Sequence, residues 1–571
     1  MRKRSRVTVS YDEPMPPTDS IAELKGAVEA AARALRDGEP TEPAPTLDRP
    51  PKPDLGDYSS NAAMLLAGPL GDNPRAVAER LRGELEGSLG GAGSLDRVEV
   101  AGPGFVNLYL SDAWYRRALA ALVDAGEGLG PAPTAEPERI LVEFVSANPT
   151  GPLHVGGGRG AAYGDAVTRL LAAVGHAVER EYYINDAGTQ ITNFARSISA
   201  RMKGEDLPED GYKGEYVVEL GEAIAAEGID PDDLGAVGDR GIALMIDQVR
   251  ETLRRFGVVM DTWFSERSLV EKGDAEAALA KLDAGGHTYR HEGALWLRTT
   301  DFGDDKDRVL IRSDGEPTYL MPDIAYHWDK LDRGFGRLID VLGADHHGYV
   351  ARLRASIEAL GADPDSFEAL IMSLVHIVED GQRAQMSKRS GDFVSLDDLI
   401  DDIGTDAARW FMLSRSHETT VDIDLALARK QASENPVYYV QYAHARIASI
   451  LRKAAGEGGA GGGAGTGDAL AEAFDPDGRT EPLAPSEKAL VKRLLEFPHE
   501  VREAAARRAP HRICAYSTAV AADFHAFYRD CQVVGAEGEG VEASRLALCL
   551  VAKRTVAGAL DLLGISAPER M

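Results

Sequence analysis

At 571 residues, with 44% apolar side chains and a net charge of −29, the chain exceeds what one hydrophobic core supports and divides into two to four domains. No apolar run reaches membrane length, and the basic N-terminus lacks an apolar h-region, so neither a membrane span nor a secretory signal is expected. The three cysteines, Cys514, Cys531 and Cys549, form no CxxC, which suits a reducing cytoplasm and argues against structural zinc; the acidic balance leaves nucleic-acid binding only to local basic patches.

Residues 19–37 have helical periodicity, with Ser20 as N-cap and Glu23 three residues on. A Pro-rich loop follows, then helices over 61–68 and 75–87. Residues 97–110 alternate as a hairpin turning at Gly102-Pro103-Gly104, and a helix is expected over 112–125. Residues 1–130 thus read as a small α+β domain. Strand 139–146, a glycine-rich turn, helix 158–174 and strand 176–184 make a βαβ unit, hence a parallel sheet. A polar helical insertion spans about 195–290, and short strands occupy 293–321. Helix 323–333, strand 337–342, helix 349–360 and strand 369–375 restore the alternation, so 131–404 reads as a split doubly wound domain. Residues 405–571 are helical, interrupted by a Gly-rich loop at 454–470.

The turn itself, NPTGPLHVGGGRGAAYGD (148–165), links a strand to a helix N-terminus, whose unpaired N–H groups and partial positive charge suit an anion. Gly156 to Gly158 would let backbone approach a phosphate. One reading is a dinucleotide site: Gly156-x-Gly158-x-x-Ala161 fits a loose GxGxxA, with Glu179 and Glu181 about twenty residues on. Six residues and His154 before the glycines make the turn longer than that motif allows.

The other reading uses the whole chain. LHVGG resembles the HIGH signature of class I aminoacyl-tRNA synthetases, and RAQMSKRSG (383–391) resembles their KMSKS signature. EFVSANPTGPLHVG, EYYINDAGTQ, DIAYHWDKLDRGF, GADHHGY, NPVYYVQYAHARI and LGISAPERM resemble the arginyl-tRNA synthetase family, and GDYSSNAAM and GPGFVNLYL resemble its N-terminal extension.

That resemblance implies a Rossmann-type parallel-sheet catalytic domain, an α+β N-terminal domain at the tRNA elbow and an all-α anticodon-binding domain. It implies that L-arginine is activated by ATP with Mg2+ and joined to the 3′ end of tRNA-Arg, by a cytoplasmic monomer without resident metal or membrane contact. His154, Gly156, Gly158, His346, His347, Met386, Ser387 and Lys388 would face ATP, with Lys388 meeting the pyrophosphate charge. Asp323 would take the guanidinium, with Glu143, Asn148, Tyr319 and His347 completing the arginine site; Tyr319 and Asp323 are spaced i, i+4, for one side of a helical turn. Asn107, Phe105 and Tyr109 would lie near the tRNA elbow, although Phe105 and Tyr109 also read as core. Tyr438, Tyr442 and Arg446 would face the anticodon, and Tyr516, Phe524, Phe527 and Tyr528 are further aromatic candidates. The run Arg502, Arg507, Arg508, Arg512 would face phosphate or solvent.

Two positions depart from the family pattern. The second histidine of the HIGH signature is Gly157 here, and Gln385 opens the second signature. Arg159, or the backbone N–H groups of Gly157 and Gly158, would have to replace the missing donor. The alternative is a non-charging relative that binds arginine or tRNA.

Overall fold

Strand Arg139–Glu143 carries three successive apolar residues, Ile140, Leu141 and Val142, all fully buried, as a strand covered on both faces requires. In the computed structural model, which describes residues 20–379, 381–383, 394–456 and 466–571, this strand is the centre of a five-stranded sheet. The order is Phe367–Met372, Arg337–Gly343, Arg139–Glu143, Ala177–Ile184, Thr262–Ser265, and every pair is parallel. The chain runs outward from the central strand through Ala177–Ile184 to Thr262–Ser265. It then returns to lay Arg337–Gly343 on the other side. The crevice beyond the carboxyl ends of the two inner strands is where such a sheet binds ligands.

Helix Val155–Ala173 makes the first crossover. It starts three residues earlier than the spacing predicts, because His154 caps it. Its small residues permit close packing: a Cβ on Gly164 would lie 2.3 Å from the Phe144 ring. Thr262–Ser265 falls inside the expected insertion of 195–290, yet it is the edge strand of the main sheet. Four residues after a long helical stretch give too short an alternation to register. The helices Thr189–Lys203, Glu215–Ala226 and Leu234–Arg255 are insertion proper and share a small core of their own.

The expected junction at 404/405 lies within helix Leu396–Leu413, at the kink where Gly404 takes φ 79°. Strand Val421–Asp424, inside the region read as wholly helical, pairs in parallel with Val375–Glu379. The five long helices Pro436–Ala454, Pro485–Leu495, Phe497–Ala506, His511–Asp530 and Val541–Leu562 follow. At the other end, helices Ser20–Ala34, Ala62–Leu70, Pro74–Gly91 and Asp112–Asp124 accompany a four-stranded antiparallel sheet that includes the expected hairpin, Leu95–Ala101 with Phe105–Leu110. Ion pairs Lys488–Asp112 and Lys492–Asp57 fasten this domain to the C-terminal helices. Among the described residues no helix is long and apolar enough to cross a membrane.

Candidate functional site

The glycine turn is organised by its histidine. His154 is the N-cap of helix Val155–Ala173, and its Nδ1 accepts from the N–H groups of Gly156 at 3.0 Å and Gly157 at 3.4 Å. An accepting Nδ1 places the ring proton of the neutral imidazole on Nε2. The expectation of open backbone amides is therefore corrected: the first of them are taken by the histidine, and the Gly158 N–H bonds the His154 carbonyl at 3.1 Å.

Each glycine has its own reason. A Cβ on Gly156 would stand 2.7 Å from Cε1 of His154, so the capping ring requires glycine there. A Cβ on Gly158 would stand 2.6 Å from Leu396, so this residue serves packing rather than phosphate approach. Gly157 is different, since a Cβ there meets only Leu153, at 3.8 Å. Among the described residues, the position where the family signature has histidine is open to a Cβ. Arg159 does not take its place. Its side chain is fully buried, and its guanidinium donates to the carbonyls of Ser373, Ser416 and Thr419 at 2.7 to 2.8 Å. None of the three expected substitutes for the missing donor is open.

The segment following the second signature lies against the first. Val155 N–H donates to the Val394 carbonyl at 3.3 Å and Leu396 N–H to the Leu153 carbonyl at 2.8 Å, an antiparallel bridge centred on His154 and Ser395. Met386, Ser387 and Lys388 themselves fall outside the described residues.

The crevice beside this turn is acidic. Glu143 ends the central strand, and the chain leaves through Val145 and Ser146, both at positive φ (71° and 39°). A β-branched residue there is a strained conformation of the kind found at functional sites. Ser146 helps hold it: its hydroxyl donates to Glu143 Oε1 at 2.8 Å and accepts from the Tyr183 N–H. Lys330, fully buried, donates to Glu143 Oε2 at 2.6 Å and to Asp340 Oδ1 at 2.9 Å, while His327 Nε2 lies 3.0 Å from Asp340 Oδ2. Burial opposes ionisation of Asp340, but Lys330 and His327 outweigh it and hold its carboxyl below the usual range. Glu143 is pushed up by burial, with Lys330 offsetting only part. Asp323, in the first turn of helix Leu320–Asp332, is likewise raised by burial; Tyr349 donates to its carboxylate. The sequence reading missed Lys330, His327, Ser146 and Tyr349. Asp323, His327 and Lys330 stand at i, i+4 and i+7, one helix face, which was legible.

Other expected residues are placed less tightly. Asn148 is exposed at the turn, its amide donating to Gln190 at 2.6 Å. Tyr319 precedes the helix rather than sharing a turn with Asp323, and its side chain is 93% exposed. His346 and His347 occupy an exposed 3-10 turn at the end of strand Arg337–Gly343. Among the described residues no three His, Cys, Asp or Glu side chains group as metal ligands.

On the N-terminal hairpin, Asn107 is buried and accepts from the Ser59 hydroxyl at 2.7 Å, so it shapes the hairpin from inside. Phe105, read in part as core, is 41% exposed at the tip, and Tyr109 lies half-buried under the Arg97 guanidinium, 3.5 Å from its ring centre. In the C-terminal helices Tyr438 and Tyr442 stack nearly parallel, with 6.0 Å between ring centres. Arg446 donates to the Tyr442 hydroxyl at 2.6 Å and lies over the rings of Tyr442 and Tyr528. With Tyr439, His525 and Ser433 they line a cleft of about 250 Å³. Tyr516, Phe524 and Phe527 are core residues instead. The basic run is largely consumed by ion pairs: Arg507 with Glu503, Arg508 with Glu368, Arg512 with Glu500.

Known proteins share this arrangement. The family model for the class I (R) tRNA synthetase catalytic domain matches residues 119–208 and 240–448, that for the arginyl tRNA synthetase N-terminal domain matches 22–110, and that for the DALR anticodon binding domain matches 440–571. A parallel sheet with a His-capped signature turn at its centre, joined to these helices, is the architecture of a class I aminoacyl-tRNA synthetase. The arginine–tRNA ligase of Anoxybacillus flavithermus is 43% identical over 565 residues, covering 96% of this chain and 98% of its own. That of Bacillus subtilis is 43% identical over 561 residues, with the same coverage. The crystallised Thermus thermophilus arginyl-tRNA synthetase superposes with TM-score 0.72 at 26% identity, covering 96% of this chain and all of its own. The chain belongs to the arginyl-tRNA synthetase family.

Proposed function

We propose that this chain, an arginine–tRNA ligase by its family, activates L-arginine with ATP in the crevice beside His154 and passes the arginyl group to tRNA-Arg. The arginine carboxylate attacks the α-phosphorus, the bond to pyrophosphate breaks, and arginyl-adenylate forms. The terminal ribose hydroxyl of the tRNA then attacks the arginyl carbonyl, and AMP leaves. No covalent enzyme intermediate is needed, so positioning and charge stabilisation carry the rate.

His154 contacts the ATP phosphates from the turn, and Gly156 keeps the space over its ring clear. Lys388 neutralises charge developing on pyrophosphate. Asp323 pairs with the guanidinium, whose planar fork suits a carboxylate, and Glu143, Asn148 and the exposed Tyr319 complete the arginine site. His346 and His347 face the nucleotide from the mouth of the crevice. Mg2+ arrives with ATP as counter-ion of its phosphates, in keeping with that ion's preference for phosphate and water ligands. The tRNA elbow meets the hairpin tip at Phe105, and anticodon bases stack in the Tyr438–Tyr442–Arg446 cleft. The protein acts as a cytoplasmic monomer.

The observation that carries this reading is the bridge between Leu153–Val155 and Val394–Leu396, which sets the flank of the second signature against the first. The test is aminoacylation with labelled arginine, ATP, Mg2+ and tRNA-Arg. Charging is expected; tRNA binding without any charging would make the chain a non-charging binding protein instead.

A further inference from the structure

Arg159 is a buried cation without a carboxylate partner among the described residues. All its hydrogen bonds run to backbone carbonyls: Ser373 at 2.7 Å, Ser416 and Thr419 at 2.8 Å each, with Leu374 at 3.5 Å. Burial lowers its pKa to about 10. Desolvating a charge without a counter-ion costs free energy that its hydrogen bonds must offset, so its geometry is the more informative property.

The four carbonyls belong to two segments distant in sequence. Ser373 and Leu374 lead into strand Val375–Glu379, which turns back as Gln382–Arg383 and enters the second signature. Ser416 and Thr419 lead into strand Val421–Asp424, which pairs in parallel with Val375–Glu379. The two segments also hold each other: Ser373 N–H donates to the His417 carbonyl at 2.7 Å, and its hydroxyl to the Glu418 carbonyl at 2.8 Å. Arg159 thus grips the roots of both strands of a small sheet, and its own helix begins at His154. The far side of the second signature, Val394–Leu396, is bridged to Leu153–Val155. Both flanks of that signature are therefore tied to the one helix.

We propose that Arg159 is a positioning residue for adenylate formation: its guanidinium fixes the strand pair 375–379/421–424, the near flank of the second signature, on the first-signature helix. This rests on the proposed role of Lys388. The planar fork reaches carbonyls on both segments at once, which a lysine ammonium on a flexible stem cannot reproduce.

Two measurements on the full-length protein test this. Hydrogen exchange across 373–379 and 416–424 is expected to accelerate in Arg159→Lys while the main sheet is unchanged; unchanged exchange in both segments overturns the clamp. Single-turnover arginyl-adenylate formation is expected to slow about tenfold or more in Arg159→Lys, with KM for arginine within about twofold of the parent. In a Lys388→Ala background the same substitution is expected to change the rate by less than about twofold, because the group it positions is gone. An equal, additive loss in both backgrounds overturns the positioning role. If Lys388→Ala alone is unimpaired, the assignment of Lys388 fails, and the exchange measurement still decides the clamp. Arg159→Gln, whose single neutral amide cannot reach carbonyls on both segments, is the second variant should Arg159→Lys fold poorly; it is expected to act in the same direction, and an unchanged exchange pattern and rate would overturn the clamp.

Discussion

Gly157→His puts the missing donor back at a position where the described residues leave a Cβ unhindered. A Cβ at this position meets a single atom, at ordinary contact distance, and residue 157 lies one helical turn from His154 on the same side (i, i+3). The three native substitutes are engaged: Arg159 with carbonyls, Gly157 N–H with His154 Nδ1, Gly158 N–H with the His154 carbonyl. A preorganised donor aimed at transition-state charge is worth about 3–4 kcal/mol in a closed site. Gly156 is exposed here, so water screens part of that. About half survives, roughly ten- to thirtyfold at about 1.4 kcal/mol per decade. Gly157→His is therefore expected to speed single-turnover adenylate formation by about that factor, with little change in KM for ATP, because the contact strengthens only in the transition state. Stability should rise by a few tenths of a kcal/mol, since histidine is the better helix former. A rate equal to or below that of the parent, with ATP still bound, would refute the reasoning and show that the natural turn already supplies its full set of contacts.

Lys330→Met leaves Glu143 and Asp340 buried without their shared cation and is expected to cost about 3–5 kcal/mol by urea unfolding near pH 8. Without the lysine both folded-state carboxyl pKa values rise above their unfolded values, so the variant loses stability as pH climbs through them. The parent's depressed Asp340 loses its contribution as pH falls. The deficit should therefore shrink toward pH 5, and a pH-independent gap would contradict the network. Asp323→Asn is expected to raise KM for arginine by about a hundredfold, with tRNA affinity unchanged in filter binding. Because burial raises the Asp323 carboxyl, arginine affinity in the parent should improve as pH rises through that shifted pKa, a dependence the Asn variant lacks. Tyr442→Ala removes the stacked platform under Arg446 and is expected to weaken tRNA binding by about 1–3 kcal/mol while tRNA-independent steps keep their rates; equal tRNA affinity would remove the cleft from the RNA surface.

The sequence by itself determined most of the element order and the family; the strands Thr262–Ser265 and Val421–Asp424 escaped it. Buried strands such as RILVE, helices with caps and the two signature strings are local patterns, set by periodicity, by turn chemistry and by the spacing of a few residues. The resemblance carried by the signature strings pointed to His154 and Asp323, and i, i+4 spacing, a property of one element, pointed to the Tyr438–Tyr442 stack. What it could not decide depends on elements far apart in the chain. Asn107 is buried because Ser59, on a neighbouring strand, reaches it. Arg159 is spent on carbonyls more than two hundred residues away, and Lys330 meets Glu143 only because their helix and strand pack together. Thr262–Ser265 becomes a strand through its partner, not its own pattern. A side chain's partners are set by which surfaces the fold brings into contact, and hydrogen bonds and ion pairs act over a few ångströms regardless of sequence distance. The chemistry available at each position could be read from the residue type; which of those groups remains available to a substrate was decided by the tertiary structure.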